Sequence, residues 1–304
     1  MRTITTALLI ILAFQICLPQ NESKNEFTKI ADGLHFPEGP AWDGKEYLYV
    51  SSCHGGYITR ISANEIFRLI DSTSNSNIKQ TNGLTIYKDG NIFACDYGLG
   101  AILKISSEGK SEIFIDGYEG KKFNRPNDLA FDDKGNLYFT DPKSYGKDKM
   151  DGRIFKANIN SKEVTLLADS LAFPNGIAFS PDGKKLFVCE SAQNRILTFK
   201  VNASGSLSDK IVFAELPGGD PDGLAFDIEG NLYVAHFGGG AIYVLSPDGK
   251  MREKIAAPGK KPSNVEFGGE DMNTLFITED ETNSVYSMKV KIPGITLFSS
   301  QSRK

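Results

Sequence analysis

The sequence predicts an all-β fold, a six-bladed β-propeller with four-stranded antiparallel blades and a ring closed by the N-terminal strand. Three observations predict it. One pattern recurs six times, each copy reads as short apolar strands separated by turn residues, and no convincing amphipathic helix follows residue 25. The copies begin at Phe36 (FPEGPAWDGKEYLYVSS), Gln80 (QTNGLTIYKDGNIFACD), Arg125 (RPNDLAFDDKGNLYFTD), Phe173 (FPNGIAFSPDGKKLFVCE), Asp220 (DPDGLAFDIEGNLYVAH) and, more weakly, Lys261 (KPSNVEFGGEDMNTLFITE). Aligned, they stack Glu38, Asn82, Asn127, Asn175, Asp222 and Ser263 in one column, at intervals of 44, 45, 48, 47 and 41 residues by subtraction. Repeats of roughly 40–45 residues with several strands each are the sequence sign of a propeller.

Within a copy the elements follow in order. Around Asp222 the strands read GLAFD, NLYVAHF, AIYVLSP and MREKIAA, joined by the turns IEG, GGG and DG. Gly and Asp at those positions supply the turn chemistry that short hairpins require. The last copy supplies strands only at about 264–268, 274–279 and 284–290, one short of a blade. The segment EFTKIADGL ahead of the first copy matches the fourth strand of other units (SEIFIDGY, KEVTLLAD), so it is expected to complete the last blade. Such closure leaves only short, protected edges.

In a propeller the innermost strand of every blade starts at the same face, beside the central channel. The column from Glu38 to Ser263 is therefore expected to form a ring around one mouth, although its members lie far apart in the chain. The second strand of each blade returns to that face, and its last position gives an outer column: Ser52, Asp96, Asp141, Glu190, His236 and Glu279. The inner ring, with two carboxylates, three carboxamides and no Cys or His, is all oxygen. Hard cations take such ligands, and Ca²⁺ accepts about 6–8 oxygens in flexible geometry. Asn, Asp and Gly are also ordinary turn residues, so spacing alone leaves both readings open.

The totals bound the function classes. At 304 residues and 40% hydrophobic, the chain can build a sizeable core. Lys and Arg (34) nearly balance Asp and Glu (38), and no stretch concentrates basic residues, which argues against nucleic-acid binding. The N-terminus, MRTITTALLIILAFQICLPQ, carries Arg2 and then an apolar stretch from Ala7 to Leu18. That is short for a membrane span of about 20 residues and suits an export signal over residues 1–20. The protein is expected to be exported, periplasmic or secreted, with lipid anchoring through Cys17 as a variant. Cys53, Cys95 and Cys189 would remain, too few for a disulfide framework, and no CxxC spacing marks a zinc site. His35, His54 and His236 fit no HExxH pattern, and no GxSxG elbow occurs. His236, ending a second strand beside the mouth, is read either as a substrate contact or as structural. Gly238-Gly239-Gly240 joins two strands rather than opening a helix, so it reads as a hairpin. Two sequons, Asn21-Glu22-Ser23 and Asn202-Ala203-Ser204, matter only in an organism that glycosylates exported proteins.

Five of these motifs in this order (FPEGPAW, NRPNDLAFDDKGNLYFTD, FPNGIAFSPDG, PDGLAFDIEGNLYVA and PSNVEFGGEDMNTLFIT) resemble the gluconolactonase/regucalcin family, the senescence marker proteins, over residues 30 to 290. The resemblance implies a six-bladed propeller with one divalent metal in the central channel, Ca²⁺ foremost, with Zn²⁺, Mg²⁺ or Mn²⁺ as alternatives. By position it makes Glu38, Asn127, Asn175 and Asp222 the metal ligands, Arg125 and Asn127 the substrate-binding pair, and Asp222 also the catalytic base. Ser263-Asn264 departs mildly from the family pattern, which usually has a Thr beside the Asn.

The expected function is metal-dependent hydrolysis of a small-molecule lactone. Esterase or phosphotriesterase chemistry on the same site, or a non-catalytic ligand-binding propeller, are the alternatives, since fold does not fix function. The expected organisation is an export signal over 1–20, the propeller over 26–292 and a C-terminal tail over 293–304. The expected state is a monomer or weak dimer without a membrane span.

Overall fold

The computed structural model describes residues 26–74 and 77–297. The expected export signal with Cys17, the first sequon and the end of the expected C-terminal tail lie outside the described residues. Six four-stranded antiparallel sheets surround a central channel. In blade 3, for example, the strands run Leu129–Phe131, Asn136–Asp141, Gly152–Asn158 and Val164–Leu171 in sequential order from axis to rim. Blade 5 runs Asp220–Phe226, Leu232–Phe237, Ala241–Leu245 and Met251–Ala256, as the sequence pattern anticipates. Blade 6 takes its first three strands from Pro262–Gly268, Thr274–Glu279 and Ser284–Lys289, and its outermost from Thr28–Ala31, which pairs antiparallel with Ser284–Lys289. The N-terminal strand thus closes the ring. Among the described residues the one helix is a short 3₁₀ turn, Ser191–Gln193.

Burial follows position in the blade. Inner strands lie between two neighbouring blades, so both faces are apolar and both are covered: Ile92–Asp96 and Ala241–Leu245 are buried at every residue. The outermost strand of blade 5, Met251–Ala256, is exposed at all but one position. The core therefore consists of wedges between blades, such as Phe93, Phe131, Leu137, Phe139 and Phe155 between blades 2 and 3. Truncating one of these phenylalanines to Ala should cost about 3–5 kcal/mol.

Two local features shape the axis. In five of the six blades the innermost pair slips register at the inner-column residue, between Glu38 and Ala41, Thr81 and Leu84, Pro174 and Ile177, Pro221 and Leu224, and Pro262 and Asn264. Such bulges re-aim a side chain. The residue that follows is glycine in four blades, because the innermost strands crowd one another there. A Cβ on Gly39 would lie 2.3 Å from the Asn82 carbonyl oxygen, and one on Gly176 would lie 2.2 Å from that of Asp222. Blades 3 and 6 carry Asp128 and Asn264 instead, and these side chains occupy the space that Gly83 and Gly223 leave open. Asp128 accepts hydrogen bonds from Leu129 N (2.9 Å) and Ile177 N (3.2 Å), tying blade 3 to blade 4 across the axis.

The far end of the channel is partly covered. Residues after the last blade cross it, with Ile295 N donating to Phe226 O at 3.1 Å. Ile295 and Leu297 line a cavity of about 70 Å³ together with Asp128, Asn264 and Glu266.

Candidate active site

The opposite mouth holds a cavity of about 240 Å³ whose floor carries Glu38, Asn82, Asn127, Asn175 and Asp222. Five members of the inner column therefore converge, each from its own blade. The sixth does not. Ser263 is fully buried, donates to Pro37 O (2.7 Å) and meets Thr278 Oγ1 at 2.8 Å, so it braces blade 6 against blade 1 rather than facing the mouth.

The five floor residues are 4–9% exposed. Glu38 meets Gly39 N at 3.3 Å and the side chain of Asn264. Among the described residues, no protein group hydrogen-bonds the side chains of Asn82, Asn127, Asn175 or Asp222. Burial and the neighbouring carboxylates push the Asp222 carboxyl well above the usual range, and burial followed by Asp128 does the same to Glu38. Such a set stays ionised only if positive charge joins it. Unengaged oxygens on two carboxylates and three carboxamides fit a hard divalent cation by donor type. No group of three or more His, Cys, Asp or Glu side chains is placed to hold a metal among the described residues, so carboxamides would have to complete the set.

Arg125 does not line the cavity. It is exposed at the rim, donates from Nη1 to the Tyr97 hydroxyl at 2.7 Å and lies over that ring at 5.0 Å. Its backbone is fixed by Asp141, which accepts Arg125 N at 2.8 Å.

The outer column, expected at the same face, does not line the mouth. All six residues are fully buried. Asp96 accepts from Lys79 N (2.7 Å), Gln80 N (3.1 Å) and Leu99 N (2.9 Å). Glu190 accepts from Ala172 N (2.8 Å) and pairs with Arg195 (2.5 Å), and Glu279 holds Lys261 N and Thr282 N at 2.7 Å each. His236 meets Leu216 O at 2.8 Å, which gives it a structural place rather than a substrate contact. Asp96, Asp141, Glu190, His236 and Glu279 thus clamp the loops that deliver the inner strands, while the Ser52 hydroxyl is buried without a partner. The expectation missed by one position, because successive strand residues point to opposite faces. In four blades the next residue lines the cavity instead: Cys53, Tyr97, Ser191 and Phe237.

Asp280 holds the equivalent place in blade 6, and the column alignment passed over it. Both its carboxylate oxygens are buried without a hydrogen-bond partner, and burial followed by Glu38 raises its pKa. Asp128 was equally hidden. It lies below the ring, raised to about 7 by burial, and the signal that could have revealed it is the break in the glycine column at positions 128 and 264.

Residues 23–280 match the SMP-30/Gluconolactonase/LRE-like region. A gluconolactonase from Zymomonas mobilis is 35% identical over 70% of this chain and 64% of the relative, so the chain spans less than two thirds of that protein. Diisopropyl-fluorophosphatase from Loligo vulgaris is 29% identical over 86% of this chain and 91% of the relative. Among solved structures, a gluconolactonase from Xanthomonas campestris superposes with a TM-score of 0.77 at 27% identity, covering 88% of this chain and 89% of that one.

Proposed function

The chain belongs to the SMP-30/gluconolactonase/LRE-like family, and on that premise we propose that it hydrolyses a lactone with the help of a divalent cation. The observation that carries this reading is the convergence of five oxygen-bearing side chains, four of them without a protein hydrogen bond among the described residues, on the floor of one cavity. Glu38, Asn127, Asn175 and Asp222 would hold the cation, with Ca²⁺ favoured by the all-oxygen donor set. When bound, the cation supplies Lewis-acid polarisation of the substrate carbonyl and offsets the charge of the tetrahedral state.

The chain's own residues supply the rest. An Asp222 carboxylate oxygen takes a proton from the attacking water as the new C–O bond forms. The ring C–O bond then breaks, and that proton passes to the departing ring oxygen. Arg125 presents a fork of donors at the rim, suited to the polar edge of the incoming lactone. The Ile295–Leu297 segment lies over the far end of the channel, and the substrate enters through the mouth that carries the floor residues.

Phosphotriester hydrolysis is the second reading. It is supported by the fluorophosphatase relative, 91% of which this chain covers. A panel of lactones, esters and a fluorophosphate decides between them, assayed with chelator and after restoring Ca²⁺, Mg²⁺, Mn²⁺ or Zn²⁺. Lactone turnover abolished by chelator and restored by a cation is the expected result. Turnover indifferent to chelator would remove the metal from the reading, and no turnover of any substrate would leave a binding propeller.

A further inference from the structure

The walls above the oxygen floor differ sharply from it. Five of the six blades each contribute one aromatic side chain to the cavity: Phe36, Tyr97, Tyr145, Phe173 and Phe237. They form a collar. Phe36 and Phe237 approach with ring centroids 6.2 Å apart, and Tyr145 and Phe173 meet edge-on at 5.4 Å.

Two collar members are held there against backbone preference. Phe36 and Phe173 have φ of 60° and 57°, in the left-handed region, and each precedes a proline. Positive φ is a genuine outlier for a bulky residue, and a following proline narrows the choice further. Strain of this kind persists where the surrounding structure holds it, often at binding sites. The same device in blades 1 and 4 aims a phenyl ring into one cavity from two directions.

Tyr145, Asp220 and Ser191 spend polar groups of the walls on the protein itself, while the Gln80 and His54 side chains carry no protein hydrogen bond among the described residues. Asp220 accepts from the Tyr145 hydroxyl at 2.7 Å, Ser191 Oγ donates to Pro221 O at 2.7 Å, and His54 stacks on Phe36 with centroids 4.2 Å apart. A lactone bearing a hydroxyl on every ring carbon would trade its water contacts for aromatic faces, which is costly for each hydroxyl left unpaired. An alkyl or aryl substituent would gain from the same faces.

We propose that the aromatic collar selects a lactone carrying an apolar alkyl or aryl substituent, in preference to a polyhydroxylated aldonolactone. This rests on the lactonase reading for turnover, but the binding preference stands on the collar alone.

The test has two arms. In the first, kcat and KM are measured with Ca²⁺ for δ-nonalactone and D-gluconolactone. In the second, titration calorimetry measures binding of the matching unreactive lactams, one alkyl-substituted and one polyhydroxylated. The expected result is at least tenfold higher kcat/KM for δ-nonalactone and at least tenfold tighter binding of the alkyl lactam. Phe173→Ala and Phe36→Gly should each raise the alkyl lactam Kd and the δ-nonalactone KM about tenfold, with the change largely confined to KM. Glycine accepts the positive φ at position 36, so Phe36→Gly should also keep or raise the melting temperature, which separates lost binding from lost folding. Tighter binding of the polyhydroxylated lactam, or no binding of either, would overturn the proposal. Alkyl lactam binding without turnover of either lactone would uphold it and sink the lactonase reading instead. Efficient turnover of D-gluconolactone alone would uphold the lactonase reading and overturn the collar's role.

Discussion

Two columns of polar side chains stand at the same end of this propeller, about equally hidden from solvent, and they have opposite hydrogen-bond economies. Asp96 in the outer column is fully buried and accepts three backbone N–H groups. Asp222 in the inner column is 7% exposed and has no protein hydrogen-bond partner among the described residues. Burial alone therefore does not separate the two columns; for Asp96 and Asp222 partner count does. A buried carboxylate wrapped in donors holds loops in place. One left with free oxygens destabilises the protein on its own and waits for something to bind. The difference also divides labour, since the outer clamps fix the loops on which the inner ring depends.

The largest expected effect comes from removing the basic oxygen of the inner column. Asp222→Asn should lower kcat by about 10²–10⁴ at saturating metal, while the chelated protein melts no lower than the parent, because a crowded carboxylate has gone. Near-normal kcat would leave Asp222 without the role of base.

Asp96→Ala should show the reverse pattern. Stranding three backbone donors should cost about 3 kcal/mol of stability, read as a lower urea midpoint with unchanged slope. A midpoint like the parent's would erase the contrast between the columns.

Calcium at 100 times its dissociation constant should add about 2.7 kcal/mol. The gain in melting temperature should grow with pH, because the ring must ionise to bind. A melt indifferent to chelator and to every added cation would show that the free oxygens await something other than a metal.

The smallest effect concerns pH in the chelated protein. Burial raises Asp128 to about 7 and Glu266 to about 8, and it also raises Glu38, Asp222 and Asp280. Folded values above unfolded ones near 4 mean that the folded state binds more protons across that window. Stability is then fully present below about pH 4 and is lost as pH rises through about 8. Glu266→Gln should flatten the decline in melting temperature by a few degrees. A melting temperature that climbs from pH 5 to 8 without metal would contradict the sign.

Much of this was legible before any coordinates. The recurring hairpin motif marks the six blades, and the match of EFTKIADGL to fourth strands identifies the closing strand, because both depend on local period and turn chemistry. The inner column reads correctly in five places out of six for the same reason. Ser263 fails because its bulge skips one residue rather than two, Ser263 alone between Pro262 and Asn264, and its hydroxyl finds Pro37 O in the neighbouring blade. No local pattern reports a partner 226 positions away.

The sequence by itself determined the architecture and the oxygen chemistry of the floor, since a repeat of about 45 residues carries its own strands, turns and ring residue wherever it sits. Only the tertiary structure decided which polar groups are spent on the fold and which remain free. It alone put Asp128 and Asn264 into the gaps left by facing glycines, set Asp280 beside Glu38, and gathered five aromatic rings from five blades over one cavity. The physical reason is closure. Contacts across the axis exist only once all six blades have met, so their geometry is a property of the ring and not of any repeat within it.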